Sequence, residues 1–187
     1  PCPMEIDFLS LAVAFDGDEL WFGTSSNGSI SGAYRVAGGE VSLLTPLDGL
    51  AGNIVRSVIV APDGALWFGT EDGLNKYDGY TFTVYKYDPE NSNSLSDNWI
   101  VAMLEDDAGV MWIGTRFGGL NAYDRKLNQF TRYQYSEEDP TSLSDNEVTA
   151  IYQDREGVLW VGTKGGLNKF DPVDGSFVHY QHNPDDP

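Results

Sequence analysis

The side chains of this chain that are best suited to bind a small molecule are a few aromatic and charged residues near glycine-containing turns. Aromatic rings can stack on a sugar or an aromatic ligand, and charged groups or amides can hydrogen-bond it. The candidate ligand-binding residues are Trp99, Arg116, Phe117, Lys164, Glu71 and Arg56. Each differs from the residues at equivalent positions in similar segments of the chain, and this makes it a better functional candidate than a residue that recurs.

Catalytic and metal chemistry have weaker sequence signals. The histidines, His179 and His182, have no cysteine or serine partner that the sequence identifies, and we interpret them as surface residues. The acidic runs DGDE at 16–19 and EDD at 105–107 offer oxygen ligands that suit calcium, but neither matches the twelve-residue calcium loop. Hairpin turns explain both runs more simply. We therefore expect no catalytic residue, no metal site and no cofactor.

The charge of the chain narrows the range of partners. Its 187 residues include 11 Lys and Arg against 29 Asp and Glu, which gives a formal net charge of −18. Such a surface repels phosphate backbones and anionic lipid head groups, so we do not expect binding to nucleic acid or to a membrane surface. No apolar run is long enough to span a bilayer, which predicts no direct membrane insertion by this segment.

These candidates must be positioned by a repeated unit. A Trp-x-Gly-Thr motif occurs four times, at 21–24, 67–70, 112–115 and 160–163, spaced 45 to 48 residues apart. A fixed period in this range indicates a repeat architecture. Each copy follows an apolar run and an Asp- and Gly-containing turn. Three of the four copies are followed by Gly-Leu-Asn and then by a short aromatic run, whereas the first unit has degenerate segments instead.

The pattern predicts four short strands in every unit. Their residues are β-branched or aromatic, the connections are rich in Gly, Asp and Asn, and no segment has a sustained helical period. Both faces of the strands carry apolar side chains, so each sheet must be covered on both sides. The prediction is an all-β fold, a β-propeller built of four four-stranded antiparallel blades. Residues 1–187 form one propeller domain with units at about 6–52, 53–97, 98–145 and 146–187.

Recurring residues are assigned structural tasks. The four Trp side chains are predicted to pack between blades, and these are Trp21, Trp67, Trp112 and Trp160. A small residue recurs in the first strand of each unit, where sheets converge on the axis, at Ser10, Ser57, Ala102 and Ala150. An asparagine column at Asn53, Asn98 and Asn146 is expected to cap the first strand. The closure of the array stays open among a four-bladed ring, a partial propeller and half of a dimeric ring.

Several motifs taken together resemble a known family. Ser-Leu-Ser-Asp-Asn at 94–98 and 142–146, an apolar strand, D-x-x-G-x-LW-x-GT and then GGLN-x-[YF]D resemble the two-component regulator propeller repeat. The best copies are 98–124 and 146–171, and 53–78 is nearly as good. In that family the propellers are extracytoplasmic sensor regions of bacterial histidine kinases, hybrid regulators or diguanylate cyclases, and some detect carbohydrates. The resemblance implies a sensing role and a location in the periplasm or at the cell surface.

Two functional hypotheses follow. The first is a non-catalytic ligand-sensing region of a bacterial two-component-type protein, which recognises a carbohydrate or another small molecule and passes the signal to the parent protein's signalling domains. Its site is expected on the axial face, where the connections between blades and the loops after each Gly-Thr lie together. The alternative is a repeat scaffold for protein–protein or self-association with no small ligand, including a homodimer that completes a ring.

Overall fold

Sixteen strands form four sheets in this chain. The computed structural model describes residues 9–25 and 31–181, so Cys2, Phe8 and His182 lie outside the described residues. Blade 1 contains β1 (Leu9–Asp16), β2 (Glu19–Ser25), β3 (Ala33–Ala37) and β4 (Glu40–Leu44). Blade 2 contains β5 (Val55–Val60), β6 (Leu66–Thr70), β7 (Gly73–Tyr77) and β8 (Phe82–Tyr85). Blade 3 contains β9 (Ile100–Glu105), β10 (Met111–Thr115), β11 (Leu120–Asp124) and β12 (Gln129–Tyr133). Blade 4 contains β13 (Val148–Gln153), β14 (Leu159–Thr163), β15 (Gly166–Phe170) and β16 (Phe177–Tyr180).

Within each blade the strands are antiparallel and pair in the order of the chain. The predicted fold class, all-β with four four-stranded antiparallel blades, is therefore confirmed. The helical structure within the described ranges is one short 3₁₀ turn at Pro46–Asp48, in the connection between blades 1 and 2. No helix there has the length and apolar character needed to cross a bilayer.

In blades 3 and 4 an aspartate builds the turn between the first two strands. In blade 4, Asp154 Oδ1 accepts the N–H groups of Glu156 and Val158 at 3.0 and 2.8 Å, and Gly157 adopts a φ of +82°. The other carboxylate oxygen accepts the indole N–H of Trp160 at 2.8 Å. In blade 3, Asp106 accepts the corresponding N–H groups of Ala108, Val110 and the Trp112 indole. The recurring acidic residues are thus explained by turn geometry, as the sequence predicts.

The Trp-x-Gly-Thr motif lies at the contact between successive blades. Trp21 packs with Val55 and Val58 of blade 2. The same relation joins Trp67 to the first strand of blade 3 and Trp112 to that of blade 4. A Cβ atom on the glycine of the motif would come within 3.0 Å of the first residue of the next blade's first strand, in the pairs Gly23 with Val55, Gly69 with Ile100 and Gly114 with Val148. Glycine is required because the β-branched side chain of the next blade occupies the space that a Cβ would need.

Blade 1 departs from the predicted register. Ser57, Ala102 and Ala150 lie opposite the glycine of their own blade's second strand, but Gly23 lies opposite Ala12 rather than Ser10. The prediction for Ser10 is therefore wrong. The turn Gly17–Asp18 of blade 1 is shorter than the turns of the other blades, so the spacing from the tryptophan does not transfer to blade 1.

A buried asparagine fixes each connection between blades. The Asn of Gly-Leu-Asn is fully buried in blades 2, 3 and 4. In blade 3, Asn121 Oδ1 accepts the N–H of Ser96 at 2.9 Å, and its amide nitrogen donates to the Ile113 carbonyl at 3.3 Å and to Ser96 Oγ at 2.8 Å. Asn75 and Asn168 make the corresponding bonds to Ala51 and Ser144. The connection that enters each of these blades is held against its second and third strands.

The second asparagine column has a different partner from the one expected. Asn98 Oδ1 accepts the N–H of Tyr87 at 2.7 Å, and Asn146 Oδ1 accepts that of Tyr135 at 2.8 Å. These donors follow the fourth strand of the preceding blade, so the side chains close the connection between blades rather than cap the first strand. Asn53 is exposed.

The stack of blades is open. Contacts between first strands join β1 to β5, β5 to β9 and β9 to β13, whereas β1 and β13 make little or no contact in the described part of the chain. Trp160 is partly exposed, unlike the other three motif tryptophans. Gly162, on the same strand, has only residues of its own blade within reach. Of the three closures considered, the described geometry is that of a partial arc and not a closed four-bladed ring.

Replacing Trp112 by alanine should lower the free energy of unfolding by about 3–5 kcal/mol, because the buried indole fills the junction of blades 3 and 4. Trp160→Ala is the matched control. Its indole is partly exposed, so we expect a clearly smaller loss. Urea denaturation followed by circular dichroism gives both values. Equal losses for the two variants would contradict the packing argument.

Stability should also fall in acid through Asp154. The hydrogen bond from Trp160, followed by those from Val158 and Glu156, lowers the pKa of this carboxyl below its usual value. A lowered folded-state pKa contributes stability above the unfolded value of about 3.9, and this contribution is lost as pH falls through the folded pKa. Asp154→Asn should therefore lose less melting temperature than the wild type between about pH 5 and pH 2.

The control for that titration is Glu137→Gln, which removes one exposed carboxylate. Its melting curve should follow the wild-type pH dependence. If Asp154→Asn and the wild type lose melting temperature in parallel over this range, the Trp160 bond does not stabilise the folded state through this carboxylate.

Candidate functional site

The axial loops lie together as the sequence predicts. In blade 3 the loop after β10 is bonded to the connection that precedes β9, because Arg116 N–H donates to the Trp99 carbonyl at 2.9 Å. Phe117 N–H donates to Asp97 Oδ2 at 3.1 Å. Blade 4 repeats the first bond, from Lys164 N–H to the Glu147 carbonyl at 3.0 Å. These bonds bring the residues after Gly-Thr beside the residues before the first strand.

Four of the six candidate residues form one cluster. The Arg116 guanidinium carbon lies 4.4 Å from the centre of the Trp99 ring system and 5.1 Å from that of Phe117. The Arg56 guanidinium carbon lies 5.6 Å from the Trp99 centre. Such distances are typical of cation–π contacts. We call Arg56, Trp99, Arg116 and Phe117 the Arg–Trp cluster. Because Arg56 belongs to β5 and the others flank β9 and β10, the cluster spans the junction of blades 2 and 3.

The cluster contains donors without protein acceptors. Arg56 Nε and Trp99 Nε1 are both buried, and neither has a hydrogen-bond partner in the described part of the chain. In those ranges no carboxylate lies within 4.0 Å of either guanidinium. Phe117 is 61% exposed. Buried donors are almost always satisfied. Trp21 Nε1, Trp67 Nε1 and Arg125 Nε share this unpartnered state, so Arg56 and Trp99 are distinguished by meeting beside the exposed Phe117 ring.

The other two candidates have local tasks. Glu71 accepts the N–H groups of Asn53 and Ile54 at 3.0 and 2.8 Å, so its carboxylate ties the connection into blade 2. Lys164 is exposed and forms an ion pair with Glu147 at 3.3 Å. Neither has a recorded contact with the Arg–Trp cluster, and their assignment to a ligand site stays a prediction.

One residue at the site was hidden from the sequence reasoning by its recurrence. Asp97 belongs to the Ser-Leu-Ser-Asp-Asn motif and has a counterpart in Asp145, so it is not among the residues that differ between repeats. In blade 4, Asp145 Oδ1 accepts the Glu147 N–H at 2.7 Å. In blade 3 the same position instead orients the loop that carries Phe117. The available signal was its position two residues before Trp99.

The described histidine is used structurally. His179 Nε2 lies 2.6 Å from the Ser142 carbonyl and is partly buried, which corrects its interpretation as a surface residue. Arg132 holds the same position in blade 3 and donates to the carbonyls of Ser94 and Leu95 at 2.9 and 3.0 Å. Both side chains fasten the connection that enters their blade. No group of three or more His, Cys, Asp or Glu side chains in ranges 9–25 and 31–181 converges as metal ligands would.

Four-stranded antiparallel sheets that stack through their first strands define a β-propeller region. The family model for the two-component regulator propeller matches this chain at residues 49–72, 94–117 and 142–165. These three matches bear out the resemblance to the two-component regulator propeller repeat that the motifs show.

Two relatives place these repeats in signalling proteins. The extracellular domain of the putative hybrid two-component system BT3049 from Bacteroides thetaiotaomicron is 39% identical over 75% of this chain, with a TM-score of 0.70. Histidine kinase P4 of Formosa agariphila is 50% identical over 52 residues. The chain spans 20% of the first relative and 4% of the second. The first relative is an extracellular domain, which confirms the extracytoplasmic location expected from the family resemblance.

A more distant likeness concerns the fold alone. Virginiamycin B lyase from Staphylococcus aureus is 13% identical, with a TM-score of 0.69 over 97% of this chain and 58% of the lyase. The shared blade architecture carries no inference about chemistry at this identity.

Proposed function

We propose that this chain is a non-catalytic ligand-binding region of the extracytoplasmic sensor of a bacterial two-component-type protein. A carbohydrate or another small molecule binds on the axial loop face at the Arg–Trp cluster, and the parent protein's signalling domains receive the result. One observation carries the proposal: residues from two blades meet around Trp99 and leave two buried N–H donors without a protein acceptor.

The chemistry of the cluster suits recognition. Phe117 offers an exposed ring on which a sugar or an aromatic ligand can stack, and the guanidinium groups offer hydrogen-bond donors beside it. The indole of Trp99 holds both guanidinium groups in place, so less side-chain entropy is lost when a ligand binds. Lys164 and Glu71 lie at equivalent positions of the neighbouring blades and extend the same face.

The non-catalytic part of the proposal rests on how the titratable groups are used. The turn aspartates Asp106 and Asp154 are saturated by backbone and indole N–H groups. His179 is bonded to a carbonyl. These hydrogen bonds give each of the three side chains a structural role.

The ligand-binding proposal predicts that Phe117→Ala weakens binding on the order of tenfold, the effect of losing one aromatic contact of about 1.4 kcal/mol. The variant should keep the wild-type melting temperature because the ring is mostly exposed. A thermal-shift screen of neutral and acidic oligosaccharides and small metabolites finds the binder, and titration calorimetry measures the affinity.

The matched control is Tyr80→Ala, which removes another exposed aromatic ring, from the turn between β7 and β8. It should bind as the wild type does. If a broad panel produces no shift, or if Tyr80→Ala loses as much affinity as Phe117→Ala, a small-ligand site at the cluster is ruled out.

The open face of blade 4 favours the second candidate function, self-association as a scaffold. Ala150, Tyr152, Trp160, Gly162 and Leu167 line an apolar groove of about 370 Å³ on this face. The corresponding groups of the other blades are covered by the next blade. An exposed apolar face of this kind is typical of a protein–protein contact.

Blade 1 exposes the complementary side. Val13 and Phe15 are 56% and 71% exposed. In register they correspond to Val58 and Val60, which pack against Trp21 at the junction of blades 1 and 2. The exposed faces of blades 4 and 1 thus correspond to the two sides of the contact that joins successive blades within the molecule. We propose that blade 1 of a second copy occupies the groove of blade 4. Head-to-tail contacts of this kind close a ring or extend.

Leu167→Glu should abolish this association, because it introduces a charge into the apolar groove. Leu127→Glu is the control, since Leu127 is 64% exposed in the turn between β11 and β12. Analytical ultracentrifugation over a concentration series should show oligomers for the wild type and the control, and monomers for Leu167→Glu. A wild-type protein that stays monomeric at its highest soluble concentration excludes the two-copy ring.

A further inference from the structure

We infer that the Arg–Trp cluster recognises a carboxylate attached to a ring, as in an acidic sugar or an aromatic acid. The inference rests on the proposed ligand-binding function and specifies the chemical class of the ligand. The inference is drawn from the charges of the cluster rather than from its aromatic rings.

Five of the eleven basic residues form an ion pair within the described ranges, and Arg56 and Arg116 are among the six that do not. Carboxylates outnumber basic side chains by 29 to 11 in the chain. Arg35, Lys76, Lys86, Arg125 and Lys164 all lie within 4.0 Å of a carboxylate. Arg56 and Arg116 have none among the described residues, although both approach the same indole ring. An anion bound beside either guanidinium gains a favourable charge–charge interaction.

The nearby carboxylates are occupied elsewhere. Asp97 accepts the Phe117 N–H, and Glu71 accepts the N–H groups of Asn53 and Ile54. These backbone bonds satisfy the acids on the axial loops next to the cluster without a contact to either guanidinium. Both guanidinium groups of the cluster therefore lack an ion-pair partner among the described residues.

The geometry favours a carboxylate over other anions. Neither Arg56 nor Arg116 donates a side-chain hydrogen bond to another described residue, and a contact through the ring face leaves the N–H groups of a guanidinium free. A guanidinium presents a planar pair of donors that matches the two oxygens of a carboxylate. A densely charged polyanion is disfavoured because the whole chain carries a net charge of −18. Phe117, beside Arg116, supplies the surface for the ring that bears the carboxylate.

The test uses pairs of probes that differ only in charge. Trigalacturonate is compared with its fully methyl-esterified form, and benzoate with benzamide, by titration calorimetry on the whole chain. We expect at least one acidic probe to bind on the order of tenfold or more tightly than its neutral partner, because a hydrogen bond to a charged group is stronger than a neutral one. Saturation-transfer NMR should show ring protons of the bound probe close to the protein.

Variants then assign the preference to the cluster. Arg56→Gln and Arg116→Gln should each reduce the affinity for the acidic probe about tenfold and leave the neutral probe unchanged. Arg116→Lys, which keeps the charge and loses the planar pair of donors, should bind at an intermediate affinity. Arg155→Gln is the matched control, since Arg155 is exposed in the turn of blade 4 and has no carboxylate partner in the described residues. Melting temperatures confirm that each variant is folded.

The possible results separate this inference from the proposed function. Equal binding of acidic and neutral probes, lost in Phe117→Ala, overturns the carboxylate specificity and leaves the proposed ligand site standing. Acidic probes that bind equally well to the wild type and to both glutamine variants also overturn it, because the charge is then recognised elsewhere. If neither acidic probe binds, the inference fails whatever the wider screen finds.

Discussion

The buried carboxamide of the Gly-Leu-Asn motif is the interaction on which the placement of the axial face depends. Asn121 has no exposed surface, so each of its polar atoms needs a partner inside the protein. It finds them in the second strand of its own blade and in the connection that enters the blade, at Ser96. Three residues after Ser96 the chain reaches Trp99. Together with Asn98 and Arg132, this amide fixes the loop that carries the centre of the Arg–Trp cluster.

Blade 1 shows what happens without this amide. Tyr34 occupies the position of the buried asparagine and stacks on Phe22, with ring centres 5.0 Å apart. An aromatic ring fills the space but offers no amide to a connecting segment. Blades 2 to 4 thus share one way of holding their axial connections, and the candidate site lies where two of these blades meet.

The recurring residues were readable from the sequence because packing demands them in every unit. Tryptophan and glycine answer a packing need that returns at each junction between blades, and the turn aspartate answers a hydrogen-bonding need in blades 3 and 4, so their spacing predicts the blades and the turns. The register of β1 was missed because its turn is shorter, and a change in turn length shifts residues against the tryptophan without altering the composition of the strand. The partner of Asn98 was missed because it lies on another blade, eleven positions earlier, where only the folded chain brings the two together.

The candidate site residues can likewise be predicted from the sequence only in part. Arg56, Trp99, Arg116 and Phe117 could be nominated because they break the repeat, but their convergence depends on the angle at which blades 2 and 3 stack. Glu71 and Lys164 break the repeat equally and still find local partners, the first in backbone N–H groups and the second in Glu147. Positions that vary between repeats are therefore not required for packing. Among them, a candidate site is distinguished by polar groups that have no hydrogen-bond or ion-pair partner. In a stack whose blades contact only their neighbours, a ligand that joins Arg56 to Arg116 acts directly on the junction of blades 2 and 3.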